Sequence, residues 1–339
     1  MKSVFDGIKN FFKVTFLPPS RMNWGYPVFV MSLGVLTVYL IKILLFHFEM
    51  PFSPTSIAFN ALIIPLLTLI ALIIPAISLA SVDNNSINNG IAGKFTGIGP
   101  LLIALVSGVP LSLVNTACHN LSTYGLLRFG RTMIYPAFMC YNQDESLIST
   151  LLEITTTSII PALGVSIFFT GFLWSLFKDE NKPAGTIVII IFYVLYNLNL
   201  IDALGAVVTG WWIVKLRKKT GTIAAPFLAL SAMKIAEVCL RPIISQIDIT
   251  DLQTYSDIPS TFFYASVPAV FVGIILFAFF NSSLDEFERI YNSDLLGREE
   301  VQASTTEHNL PFVKGFNVSL LLAVLILGTI WTLMILGIQ

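Results

Sequence analysis

Charge is what this sequence has least of. Asp, Glu, Lys and Arg make up 12% of its 339 residues while 55% are hydrophobic, against roughly 25% charged in a typical soluble domain, and the mean hydropathy is +0.81. So little polar surface excludes a water-soluble globular protein. The net charge of −1 gives no basic footprint for nucleic acid, so none is expected as a partner. Cysteine is also scarce: Cys118, Cys140 and Cys239 form no CxxC pair and are odd in number, which argues against a disulfide framework or a structural zinc site. Of the three histidines, His47 is read at a membrane edge, His119 beyond the third span and His308 in the last linker, with no HExxH pairing among them. Neither a GxSxG elbow nor a GxxxxGK[ST] phosphate loop occurs. No metal and no cofactor is expected, and no catalytic residue stands out. No short apolar run with a small-residue cleavage pattern precedes Tyr26, so the first span is expected to stay in the membrane.

What the chain has in abundance is apolar runs of about 20 residues, the length that crosses ~30 Å of hydrocarbon at ~1.5 Å per residue. Expected spans run over 26–48, 57–82, 97–116, 147–177, 185–200, 203–216, 222–245, 261–280 and 317–338, with a more polar stretch, 118–142, read as re-entrant or amphipathic. The fold class is therefore all-α: a polytopic membrane helical bundle of about eight or nine transmembrane helices. Residues 1–22 place Phe5, Ile8, Phe11 and Phe12 at helical spacing beside Lys9 and Lys13, which predicts an N-terminal interfacial helix ended by Pro18-Pro19. The organisation that follows is 1–22 amphipathic segment, 23–100 N-terminal spans, 101–245 central core, and 246–339 C-terminal spans joined by a charged cytoplasmic linker at 281–314.

Basic residues set the orientation. Lys2, Lys9, Lys13 and Arg21 precede the first span, so the N-terminus is expected to be cytoplasmic in a multi-pass protein of the cell membrane. Carrying the sign forward puts Lys215-Leu216-Arg217-Lys218-Lys219 inside and the acidic 248–257 loop outside.

Intramembrane charge is costly and usually faces a bundle interior. Lys234, Glu237 and Arg241 fall at i, i+3 and i+7 on one helical stripe, where Glu237 can pair with either cation. Glu153 with Thr155, Thr156 and Thr157, the pair Asn197 and Asn199, and Asp202 are further polar candidates. Two readings stand for the stripe, an ion pair that locks the bundle or a functional polar cavity. Lys42, near a span end, is read as snorkelling.

Three segments of the 101–245 core carry a resemblance. The first is Pro161-Ala162-Leu163-Gly164-Val165-Ser166-Ile167-Phe168-Phe169-Thr170-Gly171, the second Phe192-Tyr193-Val194-Leu195-Tyr196, and the third runs from Thr220-Gly221-Thr222 through Ala225-Pro226 to Lys234. In order and frame they resemble the CAAX protease and bacteriocin-processing (Abi-type) family of intramembrane metalloproteases. Such proteins carry a Pro-Ala-x-x-Glu-Glu-x-x-Phe-Arg-Gly-like run, then Phe-x-x-x-His, then a Thr-Gly-Ser-x-x-Ala-Pro-x-x-x-His-x-x-x-Asn-like run. Position by position, the paired glutamates fall on Val165 and Ser166, the arginine on Thr170, the histidines on Tyr196 and Leu230, and the asparagine on Lys234. The resemblance thus implies a protease-like scaffold without its chemistry, since valine and leucine neither bind a cation nor move a proton. The function it implies is non-catalytic binding of an unidentified membrane protein, a peptide or a lipid, in addition to the surrounding bilayer. A transporter or permease-like subunit with Lys234, Glu237 and Arg241 along its path is the alternative. An intramembrane peptidase of non-standard chemistry using Glu153 or Glu237 is a third.

Overall fold

The computed structural model describes residues 23–47, 57–82, 97–129, 147–177, 182–247, 258–295 and 315–336. The expected surface helix over 1–22, Cys140, the 248–257 loop and most of the 281–314 linker lie outside the described residues. Within them the chain is all-α, with no β-strand.

The helices follow the apolar runs. They are α1 Gly25–His47, α2 Ile57–Thr68, π1 Leu69–Ile73, α3 Ile74–Val82, α4 Ile98–Val106, α5 Gly108–Arg128, α6 Leu147–Glu153, π2 Ile154–Ile159, α7 Ile160–Val165 and π3 Ser166–Leu173. After these come α8 Lys182–Asn197, α9 Ala203–Thr220, α10 Ala224–Leu240, α11 Ser260–Leu295 and α12 Val318–Ile335. Six stretches are long and apolar enough to cross a membrane: Gly25–Leu45, Ala61–Ser81, Ile98–Arg128, Ile148–Leu173, Ser260–Phe287 and Val318–Ile335.

Proline places two of the three π turns. Both π1 and π2 end two residues before the proline at the second position of the next α segment, Pro75 and Pro161. The residue between, Ile74 or Ile160, donates five residues back, to Leu69 or Thr155. A proline ring clashes with the carbonyl four residues earlier and offers no N–H, so widening the preceding turn relieves both without ending the helix. At Ser107 the interruption is different: its hydroxyl donates to the Ala104 carbonyl at 2.7 Å and accepts from Trp212 Nε1 at 2.9 Å. The junction between α4 and α5 is thereby tied to α9.

Two expected boundaries moved. The stretch from Cys118, expected to stand apart from the third span, continues α5 as far as Arg128. The last-but-one span continues past Phe280 as α11, whose 36 residues rise ~54 Å, well beyond the hydrocarbon. The expected linker therefore begins as helix.

One large core joins these elements. Phe29, Tyr39, Phe168, Phe169, Phe172, Leu173 and Trp212 are fully enclosed in it. Helix α10 packs against α5, α4 and π2, α9 against α8 and α5, α11 along α5, and α12 along α1. The approach of α10 to α5 is close because of Gly108, where a Cβ would sit 2.5 Å from Ala232 Cβ and 2.6 Å from the Met233 nitrogen. The α11 and α12 stretches are peripheral, with 17% and 28% of their apolar windows buried against 44% or more in the other four.

The two ends of the bundle differ in chemistry. One gathers Lys182 over Trp174, Lys215 bonded to Asn281, and Lys219 paired with Asp285 at 2.9 Å. There α9 ends on Gly221, whose φ of +66° forms a left-handed cap with its N–H on the Arg217 carbonyl; the clustered basic residues suit that helix C-terminus. The opposite end collects the 198–202 connection, the chain after α10 and the polar face of α5.

Candidate functional site

At this second end, polar side chains from four parts of the chain converge. On α10, Lys234 Nζ lies 2.9 Å from Glu237 Oε2. Arg241, one turn further, caps the helix and reaches across to Glu153 on α6, with NH2 to Oε1 at 2.8 Å. The stripe therefore splits: Glu237 pairs with Lys234, and Arg241 finds its carboxylate on another helix. Asn197 closes α8, and its side chain hydrogen-bonds the Tyr193 hydroxyl, which is close enough to Lys234 to feel its charge. All five candidate residues, Glu153, Asn197, Lys234, Glu237 and Arg241, thus lie toward one end of the bundle. Lys42, read as snorkelling, is buried.

Of the most heavily bonded members of this end, Asn199 and Asp202 were read as polar candidates from sequence, but their partners His119 and Asn120 were not. His119 was expected outside the third span, yet it sits within α5 and is buried. Its Nδ1 is 2.7 Å from Asp202 Oδ1 and its Nε2 is 3.3 Å from the Ile247 carbonyl. Asp202 Oδ2 accepts from Asn199 Nδ2 at 2.6 Å, and Asn199 Oδ1 accepts the Ile201 N–H at 3.1 Å. Burial works against the charge of Asp202, but His119, the Lys234 charge and the Asn199 hydrogen bond together outweigh it and hold its carboxyl below the usual carboxylate range. Beside His119, Asn120 accepts the Ile247 N–H at 2.8 Å and donates to the Ser245 carbonyl and to Ser266 Oγ. Leu198 holds the connection in a left-handed conformation, φ +47°, and is fully buried.

A sequence signal for this cluster exists. Ser112, Asn115, Thr116, His119, Asn120 and Thr123 recur at three- and four-residue spacing along α5, and all are buried. A polar stripe within an apolar helix has to meet partners inside the bundle.

The positions aligned with the protease motifs are also close together. Phe169 packs edge-on against Tyr193 and Tyr196, with centroids 5.8 Å and 6.0 Å away. Val165, Ser166, Thr170, Tyr196 and Leu230 are all buried. Thr170 donates back to the Ser166 carbonyl, Tyr196 hydrogen-bonds Thr68, and the Ser166 hydroxyl has no partner. Among the described residues no group of three His, Cys, Asp or Glu side chains could hold a metal ion. Cys118 and Cys239 are free thiols. Comparison with family models, with curated proteins and with solved structures found no match.

Proposed function

We propose that this chain is a multi-pass protein of the cell membrane with a cytoplasmic N-terminus and nine crossings, α8, α9 and α10 adding three to the six long apolar stretches. Its core is a CAAX-protease-like bundle that carries out no hydrolysis and works by binding a membrane protein, a peptide or a lipid. One observation carries the reading: the positions where the resemblance puts metal ligands and the water-activating carboxylates, Val165, Ser166, Tyr196 and Leu230, are buried apolar or hydroxyl side chains, with Tyr196 packed edge-on against Phe169. Hydrolysis at a metal needs ligands, an open coordination position and water. A sealed apolar interior supplies none of these. The same interior argues against the transporter alternative, because Trp212, Phe277, Met233 and Phe172 are buried together in the one large core of the bundle.

The test is a peptide-cleavage assay on purified, cysteine-free protein in detergent and in liposomes. No hydrolysis above background is expected, with or without added zinc, and the partner is expected to be recovered by crosslinking in native membrane. Hydrolysis that a chelator abolishes would overturn the non-catalytic reading, and counterflow of a solute into liposomes would replace it with the transporter.

A further inference from the structure

We propose that His119 is a proton-operated latch, holding residues 245–247 against α5 while its ring carries two protons and loosening them when it loses one.

Hydrogen-bond inventory alone makes the argument. Both ring nitrogens face oxygens, Asp202 Oδ1 at 2.7 Å and the Ile247 carbonyl at 3.3 Å. A carbonyl only accepts, and so does an ionised carboxylate; only the imidazolium has an N–H for each of them. Asp202 is held as an acceptor on its other side too, by Asn199 Nδ2 at 2.6 Å. A neutral ring must turn a lone pair toward one oxygen. The carboxylate is the stronger acceptor, so the proton stays on Nδ1 and the Ile247 contact is the one lost.

That contact ties down backbone outside any helix, next to an Ile247 side chain that is itself buried against Leu127 and Ile258. Residues 245–247 belong to no helix. They are tied to α5 by His119 together with Asn120, which accepts from Ile247 N and donates to the Ser245 carbonyl. The titratable groups around His119 include its neighbour Cys118 on α5 and Tyr193 on α8, both close enough to Asp202 to feel its charge. Asp202 itself faces the ring from the connection leading into α9, and Glu237 acts on it from α10, where Lys234 is paired with Glu237 and also near Asp202. Helix α11 presents Ser266, which bonds Asn120, while its charged Asp285, Glu286 and Arg289 lie toward the other end. Helix α4 contains no titratable side chain, and the basic residues of α9, Lys215, Arg217, Lys218 and Lys219, lie in its final two turns at the other end. From Ile98, where this span begins, about 21 residues of helix rise ~32 Å before His119, so the ring lies near the far boundary of a ~30 Å hydrocarbon layer. The Asp202 side chain, 25% exposed, links it to water.

The full-length protein labelled with 15N-histidine tests this directly, because the chain holds only three histidines. Spectra from about pH 5 to pH 9 bracket imidazole titration, and hydrogen exchange at 245–247, corrected for intrinsic rate, is followed over the same range. Expected is a doubly protonated His119 ring on the acid side that keeps Nδ1–H on the alkaline side, with exchange at 245–247 rising roughly tenfold in step. His119→Gln should exchange at the released rate at every pH. Asn120→Ala should release the segment while leaving the ring's titration in place. A neutral ring protonated on Nε2 throughout, which would put the proton on Asp202, overturns the latch. So does exchange that stays flat while the ring titrates, or a His119→Gln protein that keeps the wild-type profile. Should His119→Gln fail to fold, the wild-type spectra and exchange decide the matter alone.

Discussion

At Glu153, Lys234, Glu237 and Arg241 the effect of a substitution depends on which partner it strands and whether water can reach that partner. Glu237→Gln leaves the Lys234 ammonium, whose side chain is 34% exposed, beside a neutral amide, and a loss of about 1 kcal/mol is expected. Lys234→Met combined with Glu237→Gln should recover part of that loss, since no unmatched charge remains, and thermal unfolding of the four proteins in detergent measures the coupling. Strict additivity would mean that the pair does not interact. Glu153→Gln is expected to be milder, because the Arg241 side chain is 47% exposed and can reach solvent on its own. Leu198 offers a second contest of magnitudes. Its left-handed backbone costs about 1–2 kcal/mol, which glycine would relieve, but emptying a fully buried leucine site costs about 3 kcal/mol or more. Leu198→Gly is therefore expected to lower the unfolding temperature, and a rise would show that strain dominates there. The helical stripe of Lys234, Glu237 and Arg241 was legible from spacing alone. That Arg241 pairs with a residue 88 positions earlier was not, because tertiary pairing leaves no trace in periodicity.

For single elements, the glycines separate packing from propensity. At Gly108 an added Cβ meets Ala232 Cβ and the Met233 backbone below 3 Å, so Gly108→Val must push α5 from α10 and is expected to cost several kcal/mol, ~3 or more. At Gly328 nothing lies within 4 Å of an added Cβ. Gly328→Ala should stabilise α12 by up to about 1 kcal/mol in helix propensity, and opposite shifts of the two unfolding temperatures would bear out both. Helix existence was readable because each apolar run is long. Helix ends were not, wherever a polar run continues a helix instead of ending it. The α5 extension to Arg128 survives because the 198–202 connection and residues 245–247 satisfy its polar face, a condition visible only once distant segments meet. In α11, the run after Phe280 reads as linker by charge, yet Arg289 pairs with Glu286 at i, i+3 on a helix. The start of α12 was legible in principle, since Asn317 accepts from Leu320 N at 3.0 Å as an N-cap and also bonds Asn23.

Across the whole molecule, the number of crossings turns on α8, α9 and α10, whose 16, 18 and 17 residues span only ~24, ~27 and ~26 Å. Length alone leaves them short of the hydrocarbon, but each packs along other helices even where α9 leaves Leu204, Val207 and Trp211 exposed, and a span packed against protein need not match lipid thickness by itself. Contacts with α11 at the two ends of α10 supply a ruler. Lys215 and Lys219, just before α10 begins, meet Asn281 and Asp285 of α11, whereas Ser245, just after α10 ends, shares the Asn120 side chain with Ser266. The 19 residues from Ser266 to Asp285 rise about 29 Å along α11, which is the hydrocarbon thickness, so α10 runs between the two ends of a membrane-spanning stretch. If it crosses, the chain before and after it must face opposite compartments. Single cysteines at Lys218 and at Ile243, both exposed, in a protein with Cys118, Cys140 and Cys239 replaced, are expected to react with an impermeant maleimide from opposite sides. The Lys218 site should react only from the cytoplasmic side, because the basic cluster of α9 is retained there. Labelling of both from one side would make α10 a buried hairpin arm and reduce the crossings to an even number.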